Sequence, residues 1–219
     1  MHDLRTSALT TLALFLAVLL SSQAYASTVT LSVVVQTSFA LNTTTDNFTV
    51  IAPGTPTYAT TTLQATTNDA TGWNVTLSGD QKNNQPQNNL QLVGATSTQI
   101  TDQTEWVPNS PTSTPGNAVL VGSLVNSGNV LAFRVMSASS SNGAPFLATS
   151  WWGTNDAVAN ALWAGISSST VQRQIGNAGT GSYTAAVHVN TVLYYLNVST
   201  SQKTGTYNAP ITYTGTGNP

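Results

Sequence analysis

Polar and apolar residues alternate one by one along most of this chain, the period of an extended strand rather than of a helix. Between Thr28 and Val35, the residues Val29, Leu31, Val33 and Val35 fall on one face and Thr30, Ser32 and Val34 on the other. Ala59, Thr61, Leu63 and Ala65 repeat the pattern, which resumes from Trp73 to Leu77 after Asn68-Asp69-Ala70-Thr71-Gly72. Those intervening turn-forming residues predict a hairpin. A second hairpin is predicted where Ala118 to Val125 and Val130 to Met136 are separated by Asn126-Ser127-Gly128-Asn129, residues that tolerate the positive φ of tight turns. Further on, Ala185, Val187 and Val189 form one apolar stripe, Val192, Tyr194, Leu196 and Val198 another, and Tyr207, Ala209, Ile211 and Tyr213 a third. Pro210 lies inside the last of these and has no N–H to donate, so that strand is expected at an edge or with a bulge.

Two polar stretches, Ser78 to Asn89 and Pro108 to Asn117, interrupt the alternation. Both are too short to separate folded units and read as surface loops of one domain. Thr154 to Ala164 carries helical signals: Asn155 and Asp156 near a start, Val158 and Leu162 at i, i+4, and Gly165 at a stop. Trp163 to Ile166 fits a strand equally well, and the two readings stand side by side. The number and spacing of strands predict an all-β fold, an antiparallel β-sandwich of Ig-like or jelly-roll-like type.

The chain opens with Arg5, an apolar run from Ala8 to Leu20, and then Ala24-Tyr25-Ala26. This is the order of a secretory signal peptide, which assigns residues 1–26 to a leader and residues 27–219 to a single exported domain. The apolar run falls short of the roughly 20 residues that a spanning helix needs, and nothing later is long enough, so no membrane span is expected after cleavage. Cysteine is absent, so stability has to come from sheet hydrogen bonds and packing.

Charge changes the picture most. Asp, Glu, Lys and Arg make up 5% of the residues, against roughly 25% in typical soluble domains. With only Lys82, Arg134, Arg173 and Lys203 as cations after the leader, no basic patch exists for nucleic acid. A surface solvated by Ser, Thr, Asn and Gln suits a protein that is glycosylated or that packs against copies of itself.

Catalytic chemistry finds few partners. His188 is placed opposite to Val187 and Val189, toward solvent, and no Gly-x-Ser-x-Gly elbow accompanies it. Glu105 and Asp102 lie beside Trp106, but both fall on one expected loop, whereas glycosidase carboxylates face each other across a cleft. Zinc lacks ligands, and the aspartates show no calcium-loop spacing. No catalytic, cofactor or metal residue is therefore assigned. Trp151-Trp152, between Ser150 and Gly153, would stack on sugar rings if exposed and would close the end of a core if buried. Asn-x-Ser/Thr sequons occur at Asn42, Asn47, Asn74 and Asn197. Asn74 and Asn197 sit in predicted strands between apolar neighbours, which turns their side chains outward.

The ribbon directly behind the cleavage point decides the functional expectation. Burying Val29, Leu31, Val33 and Val35 is worth roughly 1.5 to 3 kcal/mol each, so the ribbon has to find a sheet. It either completes its own sheet or adds to that of a neighbouring subunit, and repeated addition of the second kind makes a filament.

The leader, this ribbon, Pro-Gly-Thr-Pro at 53–56, Thr-Asn-Asp-Ala-Thr-Gly-Trp-Asn-Val-Thr-Leu at 67–77 and Gly-Thr-Tyr-Asn-Ala-Pro-Ile-Thr-Tyr-Thr at 205–214 resemble prokaryotic surface β-sandwich proteins. The ending is similar to that of WxL-type cell-wall-associated domains, with Tyr213 in place of the tryptophan of their second motif. The charge-poor, sequon-bearing architecture also resembles the subunits of archaeal threads and bundling pili. That resemblance implies a secreted structural subunit at the cell surface, with copies of itself as partners through donor-strand complementation by residues 28 to 35. The competing expectation is a monomeric cell-wall-associated or carbohydrate-binding module that meets surface glycans through Trp151 and Trp152.

Overall fold

The computed structural model describes residues 39–45, 48, 51–79, 89–108, 115–116, 118–125, 128–136, 152, 157–167, 172–178 and 187–217. All of them fall in the compact unit Thr37–Pro219. The strands are β1 (Phe39–Thr45), β2 (Thr57–Thr67), β3 (Trp73–Gly79), β4 (Leu90–Leu92), β5 (Ala95–Asp102), β6 (Val107–Pro108), β7 (Pro115–Gly116), β8 (Val119–Leu120), β9 (Val130–Val135), β10 (Leu162–Trp163), β11 (Arg173–Ala178), β12 (His188–Asn197), β13 (Tyr207–Asn208) and β14 (Ile211–Gly217).

The fold is all-β, as the alternation predicts. Seven strands form one sheet in the order β1-β2-β12-β9-β5-β4-β13, and three form another in the order β11-β3-β14. Pairing is antiparallel except where β5 meets β9, with Thr101 opposite Val130 and Asp102 opposite Leu131. The antiparallel expectation is corrected at that one ladder. The two sheets share a core: Leu63, Ala65, Phe133, Val192, Tyr194 and Leu196 from the larger one meet Trp73, Val75, Leu77 and Ile175 from the smaller.

Both expected hairpins are corrected. β2 and β3 do not pair, because they belong to different sheets. Asp69 accepts hydrogen bonds from the Thr71 N–H at 3.0 Å and the Thr71 hydroxyl at 2.7 Å, and Gly72 takes φ 97°. This turn carries the chain over the core, so Leu63 and Val75 face each other across it instead of lying side by side. Likewise β8 pairs with β10, and β9 pairs with β12 and β5. The tight hairpin that does form joins β4 to β5, with Leu92 opposite Ala95 and Gly94 at φ 83°.

The two apolar stripes from Ala185 to Val198 do not make two strands. Asn190-Thr191 continues one ladder, β12, which pairs with β2 from His188 to Leu196. The helical reading of Thr154 to Ala164 gives way as well: Asn160 and Ala161 donate to the Ala157 carbonyl in a single turn, and Leu162 and Trp163 then form β10. Pro210 does not lie inside a strand as expected: with Ala209 it separates β13, which ends at Asn208, from β14, which begins at Ile211. β13 and β14 are each an edge strand of their own sheet, which fits the missing donor.

Candidate functional site

Each carboxylate and histidine weighed for catalysis has a structural setting of its own. Asp102 is fully buried at the end of β5, where its Oδ2 accepts the Ile166 N–H at 2.9 Å. Glu105 bridges to Arg173 on β11 at 3.0 Å and lies beside Gly165, whose backbone runs against Gln103 so closely that a Cβ would sit 1.6 Å from the Gln103 oxygen. Only glycine permits that crossing. His188 is buried, contrary to the solvent-facing position expected of it, with its ring 5.4 Å from that of Trp73. The even-numbered residues of β12 face the core from His188 onward, which leaves Val187 exposed. Among the described residues no three His, Asp or Glu gather where a metal could be held.

Of the two readings of Trp152, the structure takes the one in which it closes a core. Its side chain has no exposure, and its ring packs 5.0 Å from Trp106 and 5.5 Å from Phe133. Its carbonyl accepts a 2.8 Å hydrogen bond from the guanidinium of buried Arg134, which also lies 5.9 Å from the Trp163 ring centre. Trp152 therefore closes the core and offers no face to a sugar. Trp151, together with Asn47 and the ribbon residues Val29, Leu31, Val33 and Val35, lies outside the described residues.

One feature that the sequence did not announce is an open groove of about 510 Å³ at one end of the shared core. Ile51, Leu90, Ile100, Leu196 and Val198 supply its apolar floor, and residues 202 to 207 form a wall. That wall is held by its own hydrogen bonds. The Tyr207 hydroxyl donates to the Lys203 carbonyl at 2.6 Å and accepts from the Gln202 side chain at 2.7 Å. Gly205, at φ 146°, sits against the Leu92 side chain. Next to the groove the larger sheet ends in β13, an edge strand of two residues.

No family model matches the chain, and no curated protein matches it. Its chemistry has to be read from the residues themselves. The groove offers apolar contact and a sheet end, with Lys203 the only charged residue among the described residues of its lining. Such a site favours an apolar, extended occupant over a charged one.

The hydroxyls of Tyr194 on β12 and Tyr213 on β14 are hydrogen-bonded, which ties the two sheets together. Burial pushes the Tyr213 phenol up to about 12. It pushes Tyr194 well above its usual value, with the neighbouring Tyr213 adding to the effect. Both phenols are neutral and structural at physiological pH. No helix among the described residues is long and apolar enough to cross a membrane.

Proposed function

We propose that this chain is an exported structural subunit of an extracellular filament or surface layer, in which residues 28 to 35 of one copy lie in the apolar groove of the next. On this reading the two sheets form an Ig-like or jelly-roll-like sandwich that lacks one apolar strand, and the neighbour supplies it. The observation that carries the proposal is the match between an apolar-floored groove at a sheet end and a four-anchor apolar ribbon in the same chain.

Chain geometry favours the neighbour as the source. Phe39 lies opposite Thr67, at one end of β2, while Leu196 in the groove lies opposite Thr57, at the other. Those ends are ten residues apart, about 33 Å at the rise of a strand. Val35 is four positions before Phe39, a span of at most about 14 Å. That shortfall at Val35 supports another copy, rather than the same one, as the source of the ribbon. The scarcity of charge fits, because few ions need desolvating when copies pack together.

The test is deletion of residues 27 to 35 behind an intact leader. The expected product is an exported, folded protein that shows no filaments by electron microscopy. Filaments of normal appearance without that segment would end the proposal.

A further inference from the structure

The four sequons are not equivalent, and two of them can be compared directly. Asn74 lies in β3 with Trp73, Val75 and Leu77 turned into the core. Its own side chain faces the other way, together with Thr76, and both are partly exposed. Across the ladder Asn74 is opposite Thr216 of β14, which is exposed. No hydrogen bond among the described residues holds the Asn74 carboxamide.

Asn197 lies at the end of β12, opposite Val130. That face of the larger sheet is covered: Val130, Ala132 and Tyr195 are packed beneath Leu124, Ala161 and Trp163 in a second core. The Asn197 oxygen is buried, and its side chain hydrogen-bonds the Tyr195 phenol. The amide nitrogen, the atom that a glycan would occupy, is the donor left for that bond. Asn197 is itself partly exposed, but a sugar on its nitrogen would cost the bond to the Tyr195 phenol at the edge of that second core.

We infer that Asn74 is an N-linked glycan site and that Asn197, despite its sequon, is not. In the reaction the Asn74 Nδ2 bonds to the anomeric carbon of a phosphate-linked oligosaccharide donor supplied by the host's transferase. The carbon–oxygen bond to phosphate breaks, the phosphate leaves with the pair of electrons, and the amide proton passes to a base of that transferase. Because β3 puts residues 74 and 76 on one face, the asparagine and the threonine of the sequon emerge together on the partly exposed side of the smaller sheet, beside exposed Thr216. The inference rests on the extracellular reading, since only an exported chain meets such a donor.

The test expresses the full chain behind an added export leader in a host that N-glycosylates secreted protein, so that occupancy is read whether or not its own leader works. Peptide mapping by mass spectrometry on the folded, secreted fraction is expected to find sugar on Asn74 and none on Asn197. Thr76→Ala should remove the glycan mass from the Asn74 peptide, and Ser199→Ala should leave the glycoform pattern unchanged. A bare Asn74, or sugar on Asn197 in folded protein, overturns the inference. Filament formation is scored separately on the same samples, which distinguishes a failed glycan site from a failed assembly role.

Discussion

β3 and β12 are both central strands, and both alternate in sequence, yet they occupy different environments. β3 buries one face, Trp73, Val75 and Leu77, and leaves Asn74 and Thr76 partly open. β12 is covered on both faces near its end. Val192, Tyr194 and Leu196 enter the main core, while Leu193 and Tyr195 meet the second core of Leu124, Val130, Ala132, Ala161 and Trp163. Its neighbour β9 is buried at every position, Arg134 included. Alternation thus reports an exposed face only where nothing lies on top of it. Where a second layer covers the sheet, the polar positions are recruited into the interior, and aromatic rings and an arginine take over the outer side.

The largest expected effect tests whether that second layer is a true core. Phe133→Ala in the main core and Trp163→Ala in the second should each cost roughly 3 to 5 kcal/mol, because both side chains are fully buried. Urea denaturation followed by tryptophan or tyrosine fluorescence gives both values. If Trp163→Ala costs less than about 1 kcal/mol while Phe133→Ala costs its full amount, the second face of β9 and β12 is loosely covered and the contrast with β3 collapses.

The same contrast explains what could be read from the sequence. The all-β class was legible, because period two survives in β2, β3 and β14, whereas Pro210 breaks the last stripe into two strands instead of sitting inside one. The partners of the strands were not. Asn68-Asp69-Ala70-Thr71-Gly72 has the composition of a hairpin turn, but the same residues serve a turn that crosses between sheets, and local chemistry does not distinguish the two. The phase of β12 misled because His188 and Asn190 are polar and buried, while Val187 is apolar and exposed. Trp152 shows the same ambiguity in one side chain, since a tryptophan that closes a core and one that receives a sugar look alike in sequence. The groove was hidden for another reason: its lining comes from stretches of chain as far apart as Phe48, Leu90, Ile100 and Leu196, which only the fold brings together.

A smaller effect tests the link between the two sheets. The Tyr194 and Tyr213 hydroxyls join β12 to β14, and burial raises both phenols, Tyr213 to about 12. A raised folded-state value means that the stabilisation is complete below the unfolded value of about 10 and is lost as pH rises from there through about 12. The loss due to Tyr213 should be on the order of 2 kcal/mol across that window. Urea midpoints measured against pH would show it, and Tyr213→Phe should flatten the decline while costing roughly 1 kcal/mol at neutral pH for the missing hydrogen bond. An alkaline limb of unchanged steepness in Tyr213→Phe would mean that the phenol is not held neutral between the sheets.

The smallest expected effect is the most informative about the open face. Thr212 and Thr216 project from β14 and are exposed, opposite Ser78 and Asn74 respectively. Nothing among the described residues holds their hydroxyls by a hydrogen bond, so exchanging a hydroxyl for a methyl loses little, and the branched side chain retains its preference for a strand. Thr212→Val and Thr216→Val should each change stability by no more than about 0.5 kcal/mol in isolated protein. A cost of 2 kcal/mol or more from either would mean that another part of the chain or a neighbouring copy seats its polar groups against this sheet. β3 would then be covered on both faces like β12, and the room on which a glycan at Asn74 depends would be gone.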